Sequence, residues 1–217
     1  MISCPARYSD ERGAEETAIL NDGETLRLPL RGIEFVGRDF DSLAPPGNAA
    51  PEALRRFSLH QGCLCSCRIE CEIPVPIHDR GREAEGTLHV ELLLGDPASD
   101  GGLDREELRI SLLYGDRRFA GSGYSGWFED ELLEIQAQLP EGVFIRACIN
   151  CMYSDYSPYG HGLFGWMMCF RNLKDAYREV AGKQTFWAIH GRHDRLVQET
   201  YLCPEFERRA PGTGYRG

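Results

Sequence analysis

The residues best suited to chemistry lie in Cys148–Arg171, CINCMYSDYSPYGHGLFGWMMCFR, which packs three cysteines, five tyrosine or phenylalanine residues and a tryptophan into one stretch. Cys148 and Cys151 have the CxxC spacing of a structural zinc knuckle, and Cys169 and Cys203, each beside a turn-rich segment, would complete a Cys4 set. The spacing carries a geometric condition. In a regular strand, positions i and i+3 point to opposite faces, so both thiols reach one metal only if the strand ends or bulges near Asn150. The competing reading is of four small buried hydrophobes, the usual state of unpaired cysteines.

The second constellation is the loop after the CxxC. Asp155 can fold back onto local N–H groups, and Ser157-Pro158 and Tyr159-Gly160 are turn formers. Asp155, Tyr156 and Tyr159 are the candidate binding residues. Exposed, the tyrosines would form a contact surface with polar tips; buried, the loop would plug one end of the fold. His161, His190, His193 and Asp194 supply a third set, HxxHD with a histidine from the loop, which suits either a metal site or a solvated turn. A metal-dependent enzyme with cysteine and histidine ligands is the alternative that this set keeps open. The chain carries no HExxH, GxSxG or Walker motif.

The remaining cysteines belong to a strand pattern. Cys63, Cys65, Cys67, Ile69, Cys71, Ile73, Val75 and Ile77 occupy one face of a period-two run, with Arg68, Glu70 and Glu72 on the other. The four cysteines of that run would spread over roughly 27 Å, too far for one ion. They are expected as core packing.

Elements around these residues are mostly short strands. Leu26, Leu28 and Leu30 alternate, with Pro29 suggesting an edge, and 32–40 continues as a hairpin. Hairpins are expected from 63–77 into 87–94 and, through Gly115-Asp116, from 108–114 into 118–120. Residues 128–139 change to helical spacing, with acids in the first turn and Pro140 at the end. A strand is expected over 143–153, a helix capped by Asn172 over 172–180, and closing strands over 185–190 and 197–202. The fold class is therefore α+β and mostly β, an antiparallel β-sandwich-like core with one or two short helices. Residues 1–22 read as a loose polar leader, 23–205 as a single β-rich domain and 206–217 as a polar tail.

Composition narrows the partners. A formal charge of −10 argues against nucleic acid and against an anionic membrane surface, and suits a basic protein partner. No apolar run approaches a membrane span and the N-terminus has no secretory pattern, which points to the cytoplasm. Nine cysteines without an export signal read as reduced thiols or metal ligands. Arginine so exceeds lysine, found only at Lys174 and Lys183, that a GC-rich bacterial source is expected.

The runs CINCMYSDYSPYGHGLFG, MCFR and VQETYLCPEF resemble those of an uncharacterised bacterial family of unknown function, over Leu108 to the C-terminus. The resemblance implies a soluble bacterial protein and carries no activity. Together these observations lead to an expectation of a non-catalytic protein-interaction module. It would be zinc-stabilised through Cys148, Cys151, Cys169 and Cys203, and an immunity-type protein that neutralises a basic toxin is one specific form.

Overall fold

The computed structural model describes residues 1–99 and 101–216; Gly217, the last residue of the expected tail, lies outside them. The chain opens with β1 (Ile2–Asp10) and β2 (Gly13–Asn21), then β3 (Leu26–Leu30) and β4 (Ile33–Gly37). After a connector, α1 (Pro51–Leu54) leads to the two-residue strands β5 (Leu59–His60) and β6 (Cys63–Leu64). The long strands β7 (Cys67–Asp79) and β8 (Arg82–Leu94) follow, then β9 (Glu106–Tyr114), β10 (Arg117–Ala120) and α2 (Phe128–Gln138). Shorter pieces complete the chain: β11 (Val143–Ile145), β12 (Ser154–Asp155), β13 (Met167–Cys169), α3 (Lys174–Arg178), α4 (Lys183–Trp187) and β14 (Arg195–Val197).

Among the described residues, one antiparallel sheet runs in the order β10-β9-β8-β7-β1-β2-β3-β4, with β11 also paired to β7. Its centre is the β7–β8 hairpin. Cys67, Ile69, Cys71, Ile73, Val75 and Ile77 face the core, opposite Leu88, Val90, Leu92 and Leu94 of the partner strand. Arg80 and Gly81 both take left-handed φ (47° and 88°), the tight two-residue turn that matches the twist of a hairpin. Outward residues form exposed pairs such as Arg68–Glu91 at 3.5 Å, each worth about 0–1 kcal/mol. They solubilise the face more than they stabilise it. The buried face is covered by α2 through Phe128, Leu132 and Ile135, with Phe40 and Phe164 packed on Phe128, giving a sandwich-like core in a mostly β, α+β fold.

The expected polar leader is instead the β1–β2 hairpin, and β1 pairs with β7 at the middle of the sheet. Its inward residues are Cys4, Ala6 and Tyr8, too small or too polar-tipped to register as an apolar alternation. Pro29 does not mark an edge strand, because β3 lies between β2 and β4. It falls where the β2 ladder has stopped at Arg27, so its missing N–H costs no pairing there. The period-two run of cysteines breaks at Ser66, whose φ is 50°, so only Cys67 and Cys71 share the β7 face. The expected strand over 185–190 is α4 and a following 3-10 turn: Phe186 and Ile189 are buried at helical spacing. Asn172 does not cap α3; its side chain bonds Asp194 across the turn.

One feature of β7 positions everything C-terminal to it. Its edge opposite β8 is shared end to end, by β1 over Cys67–Cys71 and by β11 over Ile77–Asp79. Between those two pairings lie Pro74 and Pro76. The Pro76 carbonyl accepts from Arg146 N–H at 2.8 Å, so residue 76 turns its polar groups to this edge, where proline has no N–H to leave unpaired. The chain leaves β11 there and folds residues 146–216 into a second layer with its own buried clusters and a small sheet, β12-β13-β14.

Candidate functional site

The expected strand over 143–153 ends at Ile145. Cys148–Asn150 is a 3-10 turn, closed by Asn150 N–H to Ala147 O at 2.9 Å and Cys151 N–H to Cys148 O at 3.0 Å. The break that CxxC requires is therefore present. Cys148 N–H donates to Tyr201 O at 2.8 Å, which lays the segment leading to Cys203 beside the turn. Cys169, in β13, pairs with Ser154, three residues after Cys151. Cys151 bridges to Arg208, and the turn after Cys203 is closed by Phe206 N–H to Cys203 O at 3.1 Å.

All four cysteines are buried and carry no disulfide. Burial pushes up the thiols of Cys148, Cys151 and Cys169, and charge on neighbouring sulfurs of the set, Cys203 included, adds to the rise. Backbone N–H groups oppose this, from Tyr153 and Glu207 toward the Cys151 sulfur and from Arg171 toward that of Cys169. The fold thus gathers these four thiols from three chain segments. Among the described residues, no three His, Cys, Asp or Glu side chains already stand around a common point as a finished metal site.

The loop divides the three candidate binding residues. Asp155 and Tyr156 are buried, at 0% and 3% exposure, whereas Tyr159 is 79% exposed. Asp155 is the hub of an internal latch. One oxygen accepts from Tyr177 Oη at 2.7 Å and from Tyr215 N–H at 2.9 Å; the other accepts from Tyr156 N–H at 3.1 Å and faces Arg216 Nε at 3.4 Å. Arg216 also donates to the carbonyls of Ile149 and Ser154, and Arg209 bonds Ser154 O and Tyr177 Oη. The expected polar tail is therefore packed inward, because Arg209 and Arg216 turn toward the buried Asp155 carboxylate.

Tyr156 sits behind the latch. Its hydroxyl donates to Glu199 Oε1 at 2.8 Å, and its ring stacks on His161 at 4.1 Å between centroids. Burial lifts Glu199 to about 7, against the pull of Gly165 N–H and the Tyr156 hydroxyl. His161 lies 3.6 Å from Glu129, which in turn pairs with Arg216 at 3.4 Å. His190 packs on Tyr159 and Trp187, and His193 bonds the His190 carbonyl, so each histidine is engaged within its own turn. Asp194 pairs with Arg171 at 2.9 Å.

At its far end the loop is pinned by Asp39, which sequence reasoning had no cause to single out. Asp39 Oδ2 accepts from Phe164 N–H at 3.0 Å and from the Trp166 indole at 2.9 Å, and Oδ1 from Phe40 N–H at 2.8 Å. The glycine at 162 is required by this contact: a Cβ there would overlap Trp166 Nε1 and Asp39 Oδ2. Gly162→Ala is accordingly expected to displace the indole and to cost about 1–3 kcal/mol, read as a lower thermal midpoint with altered tryptophan fluorescence. An unchanged midpoint and spectrum would show that the pin is dispensable.

Around this buried frame lies an aromatic rim. All three tryptophans of the chain are exposed, Trp127 by 41%, Trp166 by 37% and Trp187 by 36%. Each is tied to the loop: Trp127 packs on His161 at 5.0 Å, Trp166 ends the loop, and Trp187 packs edge-on against Tyr159 at 4.5 Å. By contrast, a cleft of about 340 Å³ on the outer sheet face is lined by Arg7, Glu16, Glu70, Glu72 and other charged side chains.

The architecture is that of a mostly β protein with a large antiparallel sheet and few short helices, and no helix among the described residues is long and apolar enough to cross a membrane. The model of a family of unknown function, DUF6304, matches residues 2–154, and the chain belongs to that family. The match takes in the large sheet, α2 and the CxxC turn, and stops at Ser154, before the loop and the layer that closes over it. No curated protein and no solved structure matches the chain.

Proposed function

We propose that this chain is a non-catalytic protein-interaction module that uses the aromatic rim around residues 156–166 as its contact surface. The single observation behind this reading is the gathering of all three tryptophans and Tyr159, exposed, around one loop. Buried aromatic side chains stabilise a fold; exposed ones leave apolar area in water, and at interfaces such residues dominate binding energy. The rim is also held in shape before contact. Trp166 is fixed by Asp39, and Tyr159 by Trp187 and His190, which lowers the ordering cost of association. The polar groups of the loop, Asp155 and Tyr156, are consumed by internal bonds, which suits a frame more than a reacting centre.

The net charge of −10 favours a basic protein partner, and the immunity-type form of this reading makes that partner a toxin. The test compares the full chain with a Tyr159→Ala/Trp187→Ala double variant as bait in the native cell. The expected result is a partner that binds the unaltered chain, weakens with salt, and loses affinity by about 10-fold or more with the variant, whose thermal midpoint stays near that of the unaltered chain. Equal capture by both baits, or no saturable partner for either, overturns the proposal.

A further inference from the structure

We propose that Cys148, Cys151, Cys169 and Cys203 form a structural zinc site that fastens the C-terminal layer to the sheet. Two observations converge on it. The first is the turn: β11 stops short and a 3-10 turn occupies 148–150, so the two cysteines of CxxC are free of the alternation that would part them in a continuous strand. The second is the backbone bonding that holds the other two cysteines beside that turn. Cys148 is tied to Tyr201, Ser154 pairs with Cys169, and Met152 N–H donates to Glu207 O at 2.7 Å across the turn that follows Cys203. Four buried thiols from three segments are thus carried on backbone bonded together around one turn, and four thiols are the donor set of closed, tetrahedral zinc sites.

The layer has reason to need such a fastening. From residue 148 to 216 it contains strands of two or three residues and helices of five at most. Elements this short nucleate poorly and bury little each, the setting in which small protein units are held by metal. Zinc binding requires the four sulfurs to turn onto one centre, at about 2.3 Å from the metal.

The deciding experiment is metal analysis of the full chain purified under reducing conditions with zinc supplied, together with X-ray absorption at the zinc edge and a cobalt titration of the metal-stripped chain. One zinc per chain, a shell of four sulfurs at about 2.3 Å and a tetrahedral thiolate cobalt spectrum are expected. Cys203→Ser should lose stoichiometric metal or replace one sulfur of the shell, whereas Cys63→Ser, in the separate β6 strand, should retain both metal and spectrum. Should Cys203→Ser fail to fold, the absorption shell of the unaltered chain decides alone. Substoichiometric metal with four titratable thiols, a disulfide within the set, a shell containing nitrogen, or full retention of four sulfurs by Cys203→Ser each overturns the proposal.

Discussion

Asp155→Ala should unfasten the C-terminal layer and lower stability by about 3–5 kcal/mol, among the largest effects of any single change in this chain. The carboxylate is fully buried and organises Tyr177, Tyr215, Tyr156 and Arg216, with Arg209 at 3.9 Å completing the charge balance. Truncating it removes the buried partner of the Arg216 guanidinium, only 10% exposed, and leaves Glu129 as its remaining counter-charge, while Tyr177 Oη and Tyr215 N–H lose their acceptor. For a chain of this size the loss corresponds to a fall of roughly 6–20 °C in thermal midpoint. Limited proteolysis should then cut first between 204 and 216, since those residues lose the contacts that hold them against Ser154. A double-mutant cycle gives the sharper result. Adding Arg216→Ala to Asp155→Ala should cost less than its effect alone, because the Asp155–Arg216 pair is already broken. Strict additivity, or a midpoint within about a degree of the unaltered chain, would show that the latch does not hold the layer.

The latch also shows where a sequence stops being informative. The β7–β8 and β9–β10 hairpins and α2 were legible because each carries a local rule: period two, a turn dipeptide, or apolar residues at helical spacing. The need for a break in the CxxC segment was legible too, although the strand ends at Ile145, earlier than Asn150, and a 3-10 turn occupies 148–150. What escaped were elements that borrow their identity from distant partners. β1 is a strand because β2 and β7 flank it, since Cys4, Ala6 and Tyr8 are weak signals alone. α4 looked like a strand because Thr185, Phe186, Trp187 and Ile189 favour strands, and only the packing of Phe186 on Phe170 and Tyr215 makes it helical. Arg209 and Arg216 sit in a charged, glycine-rich segment that looked unstructured; their partner lies some sixty residues away at Asp155. Asp39 lies 127 residues before the indole it holds, and no local pattern joins them. The exposure of three tryptophans was equally invisible, because burial is a property of the whole fold.

Asp39 leads to the second large effect, a loss of stability as the pH rises through neutrality. Burial, with the negative charges of Asp41 and Glu199, lifts this carboxyl from 3.8 to about 8, against the pull of Phe164 N–H and the Trp166 indole. The folded chain therefore holds a proton at Asp39 that the unfolded chain releases near pH 4. Between those two values the folded state holds a proton that the unfolded state has already lost, so raising the pH favours unfolding. Stability should fall across about pH 5 to 8 and then level for this group, a change on the order of a few kcal/mol. Glu199, raised to about 7, acts in the same direction over a lower window, whereas Asp10, Asp22 and Glu205, whose values are lowered, add stability only as the pH climbs through the acid range. Denaturation midpoints measured across that interval should show the decline for the unaltered chain. Asp39→Asn, which cannot titrate, should show a flatter profile even if its absolute stability is lower, since its amide meets one of the N–H donors unfavourably. Tryptophan emission should follow the same titration, because Trp166 is bonded directly to the group that ionises. Parallel profiles for the two proteins would mean that Asp39 is charged in the folded state throughout, its three donors outweighing its burial.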